Sequence, residues 1–569
     1  MVYAFAKDRS CAGPIPNSYV FPLLSIDRSI NRRSAPLSEQ RRYPFYLLLL
    51  SVVLFFPGLG GRDFWAPVEP RYAEIARVMF AKGEWIVPMV NGDLYTDKPI
   101  LYFWLVLIAA KVAGAVNEWT VRVPAAFGGV GFVLTTYFFA RDFFSPRIGL
   151  LAAVMLATSA RVIWEARWAH IDALFCFFFL LSVYFAARAL LRKGGPHEIL
   201  LAYVFMGLAT LAKGLIGVVL PALLLIGFMI ARRDWRMIAA AKLHLGIPIF
   251  LMVVAPWLLL VNGATESRWL ADFIYLHHIQ RYTAGAGHRQ PLFYYFTTLP
   301  VDLLPWTVFT IPALFAYRRC RGLLADPVKL FFALWFLVVF LFFSASDTKR
   351  DLYLMPLLPT VAVFIAHYVD DLDAGRLPHD TLYRSISSFF FALIALAGLL
   401  LPVATWVLRR DAFWIGLPVA GVLAGAGGSA VLYVRQNKPL KVVAATTLMM
   451  TLILLCAVIW IFPYIEPFKS RRFFSMEVNR IVPATATLYV YADTMNDFNY
   501  YTEREAIPVL KSPDEVGKLL AAGKDDYLLI KERDLKRIAS IPREKILATD
   551  AVGSTTWYLV ALGNLPAKR

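Results

Sequence analysis

Charge is scarce in this sequence. Only 17% of its 569 residues are Asp, Glu, Lys or Arg, whereas 59% are hydrophobic and the mean hydropathy is positive. A soluble protein of this length would carry more charge, so the composition excludes an ordinary soluble enzyme. Many apolar runs approach or exceed the roughly 20 residues that a helix needs to cross a bilayer. The sequence therefore predicts a polytopic helical membrane protein.

Cysteines are few and the common soluble-enzyme motifs are absent. The four cysteines stand far apart with no CxxC pair, which predicts no disulfide framework. The basic N-terminal segment lacks the pattern of a cleavable signal peptide, so we expect none. No P-loop, HExxH, GxSxG or GxGxxG motif occurs. No nucleic-acid motif accompanies the net charge of +18, and Lys and Arg in cytoplasmic loops explain that charge more simply.

Hydropathy marks fourteen apolar runs. They lie at roughly 44–60, 99–115, 121–141, 147–163, 169–190, 198–213, 215–231, 244–262, 298–317, 327–344, 351–369, 386–408, 412–434 and 440–462. Short basic connections follow several of them, at 141–147, 188–193, 232–236, 318–321 and 435–441. The positive-inside rule makes each of these connections cytoplasmic if run 99–115 is interfacial or re-entrant. We therefore predict thirteen crossings.

This topology divides the chain into three parts. Residues 1–43 form a cytoplasmic tail, and 44–462 form the transmembrane part. Two long outer segments, 61–120 and 263–297, leave the membrane between crossings. After a polar linker, short strands and one helix predict a small outer α/β domain within 463–569. The fold class is thus an all-α polytopic membrane protein with helices in its outer loops and a C-terminal α/β domain.

The first outer segment carries an amphipathic pattern. Pro70 stands in the first turn of a predicted helix, where Pro is tolerated. An apolar stripe of helical period follows, made of Tyr72, Ile75, Ala76, Met79 and Phe80. Glu74, Arg77 and Lys82 lie off this stripe. The pattern predicts a helix that lies on the bilayer surface.

Polar side chains able to carry chemistry gather on the outer face. They are Glu69, Arg71, Asp97 and Lys98 in the first segment, Asp172 at the mouth of a run, His277, His278, Arg281, His288 and Arg289 in the second segment, and Lys349, Arg350, Asp351 and Tyr353 in a later turn. A carboxylate in an apolar run is costly unless it is paired, so Asp172 is either functional or in an ion pair. Lys98 and Lys349 either bind a phosphate or extend their charge to the interface.

An enzyme on the outer face has no cytoplasmic nucleotide-sugar at hand. It would use a donor delivered in the membrane, such as a polyprenyl-phosphate sugar. Such a donor requires cations for its phosphate, an apolar groove for its tail and a carboxylate for the acceptor. The gathered side chains supply these types of group.

Five blocks then suggest a family. They are VEPRYAEIAR, YTDKPILYFW, AHIDALF, HHIQRYTAGAGHRQPLFYYF and FFSASDTKRDLYLMPLLP. In this order they resemble the bacterial 4-amino-4-deoxy-L-arabinose transferases that modify lipid A, within the GT-C membrane glycosyltransferases. The resemblance implies transfer of aminoarabinose from undecaprenyl phosphate to a lipid A phosphate on the periplasmic face of the inner membrane. It also implies resistance to polymyxin and other cationic peptides, because lipid A loses negative charge.

The resemblance also implies roles for single residues. Glu69 and Asp172 would be catalytic, although Val68 stands where the family's first-loop Asp is expected, so Asp63 and Asp97 stay open. The residues implied to bind the donor phosphate and lipid are Arg71, Tyr72, Lys98, Lys349 and Tyr353. Asp97 and His278 would hold a divalent cation if one is used, and Arg281 and His288 are further loop candidates.

Two other functions stay open. The first is another GT-C enzyme that glycosylates a protein or a different glycan. The second is a flippase for a polyprenyl-linked lipid, which would show repeated halves and ionisable groups near mid-bilayer. The charges here lie at one face and no repeat is visible, so the enzyme is favoured.

Overall fold

The computed structural model describes residues 40–192, 194–280, 282, 289–318, 325–377, 381–493, 496–538 and 541–563, without the side chain of residue 278. Its α-helices are α1 Tyr43–Phe55, α2 Val68–Lys82, α3 Leu101–Ala113, α4 Glu118–Phe143, α5 Pro146–Ala157, α6 Ala160–Arg167, α7 Asp172–Leu191, α8 Pro196–Lys213, α9 Ile216–Arg232, α10 Arg236–Ala240, α11 Leu243–Ala264, α12 Arg268–Ile274, α13 Tyr294–Asp302, α14 Thr310–Tyr317, α15 Pro327–Ala345, α16 Leu358–Asp373, α17 Thr381–Leu408, α18 Phe413–Arg435, α19 Pro439–Cys456, α20 Phe462–Lys469, α21 Arg472–Ile481, α22 Asp497–Thr502, α23 Pro513–Ala522 and α24 Glu532–Leu535. Its strands are β1 Met89–Val90, β2 Asp93–Leu94, β3 Leu488–Tyr491, β4 Val509–Leu510, β5 Tyr527–Lys531, β6 Ile546–Val552 and β7 Thr555–Ala561.

The helical membrane fold predicted from hydropathy is confirmed. Eight helical segments of the described chain are long and apolar enough to cross a membrane. Two bent helix pairs raise the number to ten if each pair is one crossing: α5 with α6, bent by 63°, and Tyr294–Asp302 with Trp306–Tyr317, bent by 109°. The remaining predicted runs, at α1, α8 and α9, are helical but shorter or more polar. The count of thirteen crossings and the side that each loop faces stay predictions.

Helix α3 covers the run that we expected not to cross. Its 13 residues span about 20 Å at roughly 1.5 Å per residue, which is less than the roughly 30 Å hydrocarbon core. Its N-terminal half is buried, with Tyr102 and Phe103 both inaccessible. The length fits an interfacial or re-entrant helix.

Helix α2 does not lie free on a membrane surface, and this prediction was wrong. It packs against α3 and α4 on one side and against α22 of the C-terminal domain. Glu74, which we placed on the polar face, is fully buried and bonded to Arg77 at 2.8 Å. The stripe was identified correctly, but protein rather than lipid covers the helix on both sides.

The C-terminal region forms the predicted α/β domain. Its five strands pair in the order β4-β3-β5-β7-β6, with β3 parallel to β4 and β5, and β7 antiparallel to β5 and β6. Alternate side chains of β5 point to opposite faces, so Leu529 packs in one core and Leu528 in the other. Strands β4 and β6 were not predicted, because β4 has two residues and β6 is partly polar. The segment predicted as a polar linker is helical, in α20 and α21.

The C-terminal domain is joined to the first outer segment through Asn91. Asn91 lies between β1 and β2 with a φ of 53°, a left-handed conformation that Asn tolerates better than most residues. Its side-chain oxygen accepts hydrogen bonds from Ile507 N at 2.7 Å and Asn499 Nδ2 at 2.8 Å. Its amide donates to the Ile507 carbonyl at 3.1 Å. The domain therefore holds the β1–β2 turn by backbone and side-chain contacts.

Candidate active site

Glu69 is the most heavily bonded carboxylate of the first outer segment. Oε1 accepts from Arg62 at 2.9 Å, Arg122 at 2.8 Å and the Ala169 N–H at 3.0 Å. Oε2 accepts from Arg62 at 2.6 Å, Arg122 at 3.0 Å and the Trp65 N–H at 3.1 Å. The side chain is fully buried. Six hydrogen bonds use the lone pairs of both oxygens.

The two arginines are themselves held in place. Arg122 also donates to the carbonyls of Leu59, Arg62 and Asp63. The Arg62 guanidinium lies 4.7 Å from the ring centre of Trp65 and 4.0 Å from that of Trp168. Glu69 and Arg122 therefore fix the chain path of the first outer segment.

This environment argues against Glu69 as the catalytic base. Burial alone would raise the pKa of Glu69, but the Arg122 and Arg62 guanidiniums hold it well below its usual range. A carboxylate with so low a pKa, no access and six donors is a poor proton acceptor. The geometry makes it a structural anchor instead.

Asp63, the first alternative to Glu69, belongs to the contact with the C-terminal part of the chain. Its carboxylate accepts from Ser470 Oγ at 2.6 Å and from Arg472 at 3.1 Å. Its backbone N–H donates to Glu466 at 2.6 Å. Asp63 thus links the Arg122 cluster to α20 and α21.

Asp172 is the first residue of α7 and pairs with Lys213, the last residue of α8. Lys213 also lies 5.0 Å from the ring centre of Tyr353 and 5.1 Å from that of Phe175. Lys213 is not among the site residues predicted from the sequence, although it separates two adjacent apolar runs. The structure therefore joins two predicted residues, Asp172 and Tyr353, through a cation that the sequence left unassigned.

Tyr72 is a buried phenol of α2 that packs on α3. The ring is buried, 5.7 Å from Tyr102 and 5.6 Å from Phe103 between ring centres. Burial first, and then the carboxylates of Asp97 and Asp172, raise the pKa of Tyr72 above its ordinary value. The described structure gives the half-buried Arg71 no ion-pair partner.

Asp97 and Lys98 form a pair on the same segment. Lys98 Nζ lies 2.9 Å from Asp97 Oδ1, and His277 Nδ1 lies 3.3 Å from the same oxygen. The other His277 ring nitrogen is 3.1 Å from Thr96 Oγ1. His277, rather than the predicted His278, therefore contacts Asp97 among the described side chains. The His278 side chain, Arg281 and His288 lie outside the described residues.

The described residues do not form a conventional metal site. They contain no group of three or more His, Cys, Asp or Glu side chains placed to hold one ion. Asp97 and His277 offer two ligands, whereas structural zinc sites have four. These two residues alone do not form a structural zinc site. The divalent-cation prediction stays a prediction.

Lys349 and Tyr353 lie in the turn between α15 and α16. Lys349 is buried and donates to the carbonyls of Ser346 at 2.5 Å and Gln290 at 3.2 Å. A cavity of about 410 Å³ lies beside it, lined by Arg289, Gln290, Pro291 and Asp347. Lys349 is thus bonded to one residue of the cavity lining, Gln290, and its phosphate-binding role stays a prediction.

Arg161 forms an ionic hub that sequence analysis missed. It donates to Asp302 at 2.8 Å, Asp351 at 2.5 Å and Glu165 at 3.2 Å. Glu165 also lies 2.7 Å from His170 Nδ1. The hub connects the two bent helix pairs to the Lys349 turn. Asp302 and Asp351 lie 141 and 190 residues from Arg161, so no local motif could reveal these contacts.

Comparisons with known proteins agree with this arrangement. The family described as dolichyl-phosphate-mannose-protein mannosyltransferase matches residues 97–260. A crystal structure of ArnT from Cupriavidus metallidurans bound to undecaprenyl phosphate superposes with a TM-score of 0.73 at 20% identity, covering 92% of this chain and 99% of that one. The archaeal oligosaccharyltransferase AglB from Archaeoglobus fulgidus gives a TM-score of 0.54 at 12% identity, covering 87% of this chain and 69% of that one. The chain therefore has the fold that these membrane-embedded transferases share.

Sequence relatives narrow this class to one family. The undecaprenyl phosphate-alpha-4-amino-4-deoxy-L-arabinose arabinosyl transferase of Pseudomonas aeruginosa is 30% identical over 399 residues, 68% of this chain and 71% of the relative. The protein of the same name from Shewanella sediminis is 28% identical over 498 residues, 84% of this chain and 87% of the relative. The chain belongs to the family of undecaprenyl phosphate-alpha-4-amino-4-deoxy-L-arabinose arabinosyl transferases.

Proposed function

We propose that this protein transfers 4-amino-4-deoxy-L-arabinose from undecaprenyl phosphate to a phosphate of lipid A. The reaction takes place at the periplasmic face of the bacterial inner membrane. The modified lipid A carries less negative charge and gives resistance to polymyxin and other cationic peptides. Named relatives that use undecaprenyl phosphate aminoarabinose support the donor half of this proposal.

The observation that carries the proposal is the ion pair of Asp172 and Lys213 beside the ring of Tyr353. Lys213 pairs with Asp172, and Arg71 directly precedes the buried Tyr72 in α2. Arg71 keeps its guanidinium without an ion-pair partner in the part of the chain that the structure describes. An arginine without an ion-pair partner is suited to bind a phosphate with two hydrogen bonds.

The chemistry follows from these charges. An oxygen of the acceptor phosphate forms a bond to the anomeric carbon of the sugar. The bond between that carbon and the donor phosphate oxygen breaks, and undecaprenyl phosphate leaves as a phosphomonoester with added negative charge. Arg71, Lys98 and Lys349 stabilise this charge best in surroundings of low dielectric. The acceptor phosphate is already ionised near neutral pH, so a strong general base is not required.

This requirement assigns Asp172 a different role. Its carboxylate holds Lys213 beside Tyr353 and orients the cation toward the donor phosphate. Asp172 is thereby a positioning group for a cation as well as a candidate catalytic carboxylate.

Mass spectrometry of lipid A tests the proposal. The gene is expressed in a bacterium whose own aminoarabinose transferase is deleted but whose donor synthesis is intact. We expect lipid A to gain the mass of one or two aminoarabinose groups and the strain to gain polymyxin resistance. Unchanged lipid A in cells that contain folded protein would contradict the proposal.

A second candidate acceptor is protein. The match of residues 97–260 to a protein mannosyltransferase family is the observation that favours it. Glycosylated periplasmic protein, found by mass spectrometry in the same cells with unmodified lipid A, would support this candidate instead.

A further inference from the structure

A second polar cavity lies at the opposite end of α7 from the candidate active site. It has a volume of about 410 Å³ and is lined by Arg141, Asp142, Arg188, Arg192, Gly194 and Glu198. Asp172 begins α7 and Arg188 lies sixteen residues later, which is about 24 Å at 1.5 Å per residue. The cavity is therefore separate from the ion pair of Asp172 and Lys213.

The ends of three helices build this cavity. Arg141 and Asp142 belong to the last turn of α4, Arg188 to the last turn of α7, and Glu198 to the first turn of α8. The 20 residues of α7 extend about 30 Å, which matches the hydrocarbon core of a bilayer. With Asp172 at one membrane boundary, the cavity lies at the level of the lipid head groups on the other side.

The lining carries one more positive than negative charge. Arg188 pairs with Glu198 at 2.7 Å and Arg141 pairs with Asp142 at 2.6 Å. Arg192 is exposed, and the described chain places no carboxylate within ion-pair distance of it. Its guanidinium lies 5.1 Å from the ring centre of Phe143, which orients it without neutralising it. Arg192 can therefore bind a phosphate.

The lining also offers an unused acceptor. Glu198 is 4% exposed, and its Oε2 has no hydrogen-bond partner among the described residues. A buried carboxylate oxygen without a donor is costly, so it favours a ligand that brings an N–H group. Inorganic phosphate would satisfy Arg192 but would leave Oε2 without a donor and add repulsion. The cavity therefore fits a group that combines a phosphate with a primary ammonium.

We propose that this cavity binds the head group of phosphatidylethanolamine from the bilayer. The lipid phosphate pairs with Arg192, and its ammonium donates a hydrogen bond to Glu198 Oε2. Basic pockets between membrane helices are known to take anionic lipid groups, and the carboxylate adds selectivity for the amine. Phosphatidylglycerol lacks the ammonium, and the quaternary ammonium of phosphatidylcholine has no N–H to donate.

Native mass spectrometry of the full-length protein in detergent tests this assignment. Phosphatidylethanolamine, phosphatidylglycerol and phosphatidylcholine with identical acyl chains are added at equal concentration. We expect phosphatidylethanolamine to bind about tenfold better than either other lipid, the usual effect of one charge-assisted hydrogen bond. Equal binding of the three lipids would overturn the proposal.

Matched variants locate the bound lipid. Arg192→Ala should reduce phosphatidylethanolamine binding about tenfold, whereas Arg236→Ala, which removes an exposed arginine from another loop, should not. Glu198→Gln should remove the preference for the amine lipid. If Glu198→Gln is unstable, Gly194→Ala serves instead, because a Cβ there would lie 1.6 Å from Glu198 Oε2 and displace the carboxylate.

Two further outcomes would overturn the proposal. Undiminished phosphatidylethanolamine binding by folded Arg192→Ala protein would place the lipid elsewhere. Displacement of bound phosphatidylethanolamine by millimolar inorganic phosphate, or by the undecaprenyl-linked donor, would show that the cavity serves a different phosphate ligand.

Discussion

Arg122 donates to both carboxylate oxygens of Glu69, from 2.8 and 3.0 Å, across 53 residues of sequence. Both side chains are fully buried. The same guanidinium binds three carbonyls of the chain that leads into α2. The pair thus determines where the first outer segment leaves the membrane helices and where Arg71 and Tyr72 are presented.

Glu69→Gln is therefore expected to destabilise the protein rather than leave a folded, inactive enzyme. Removing one member of a buried ion pair leaves an uncompensated charge and typically costs about 3–5 kcal/mol. Thermal unfolding in detergent, followed by size exclusion, should show a clearly lower midpoint than the wild type. The exposed Glu477→Gln is the matched control and should unfold like the wild type. A fully stable but inactive Glu69→Gln would restore the catalytic interpretation.

Arg71→Lys is expected to slow transfer while the protein stays folded. The substitution keeps the positive charge but removes the planar pair of donors that holds two phosphate oxygens. Loss of such a transition-state contact costs about 10²-fold in kcat. The measurement is the transfer rate at saturating donor, with the exposed Arg268→Lys as control. A normal rate would mean that the phosphate is bound elsewhere.

Exchange of Asp172 and Lys213 separates pairing from catalysis. The double variant Asp172→Lys with Lys213→Asp can form the ion pair in reverse, so folding should return relative to each single variant. We expect transfer to stay at least 10²-fold below the wild type, because the cation no longer faces the donor phosphate. Thermal midpoint and transfer rate are measured on the same samples. Recovery of both quantities would reduce the pair to a purely structural role.

Glu74 is expected to make stability depend on pH. Burial raises its pKa from 4.5 to about 7, against the opposing influence of Arg77. Between these values the folded protein holds a proton that the unfolded chain releases, so this contribution to stability falls as pH rises from 4.5 to about 7. Glu74→Gln should therefore show a smaller drop in thermal midpoint between pH 5 and pH 8 than the wild type (a window of roughly three units around the shifted pKa). Identical drops in both proteins would show that Glu74 does not titrate in this range.

Asn91→Ala is expected to loosen the C-terminal domain. The variant loses three hydrogen bonds to Ile507 and Asn499, and alanine is less tolerant of the positive φ at this position. The cost should be about 1–3 kcal/mol, the usual penalty for leaving buried partners unsatisfied. Limited proteolysis should cleave the chain faster at this contact between the first outer segment and the C-terminal domain. Asn262→Ala, on the outer end of α11, is the control and should not change the cleavage rate.

The sequence by itself determined the class of fold and most helix positions. Apolar runs of sufficient length and basic connections define membrane helices because lipid requires every backbone group to be bonded within the segment. Pro70 and the stripe that follows it located α2, and short runs rich in Tyr, Val, Leu and Ile located β3, β5 and β7. These features depend on neighbours in sequence.

Only the tertiary structure decided which polar groups meet. Glu69 meets Arg122 across 53 residues and Asp172 meets Lys213 across 41, and no spacing rule relates Asp172 to Lys213 or Arg161 to Asp302. The sequence also could not show that protein covers both sides of α2, because an apolar stripe is the same whether lipid or another helix packs on it. A carboxylate becomes an anchor or a reactive group according to the charges and donors that surround it, and packing of distant segments supplies those surroundings.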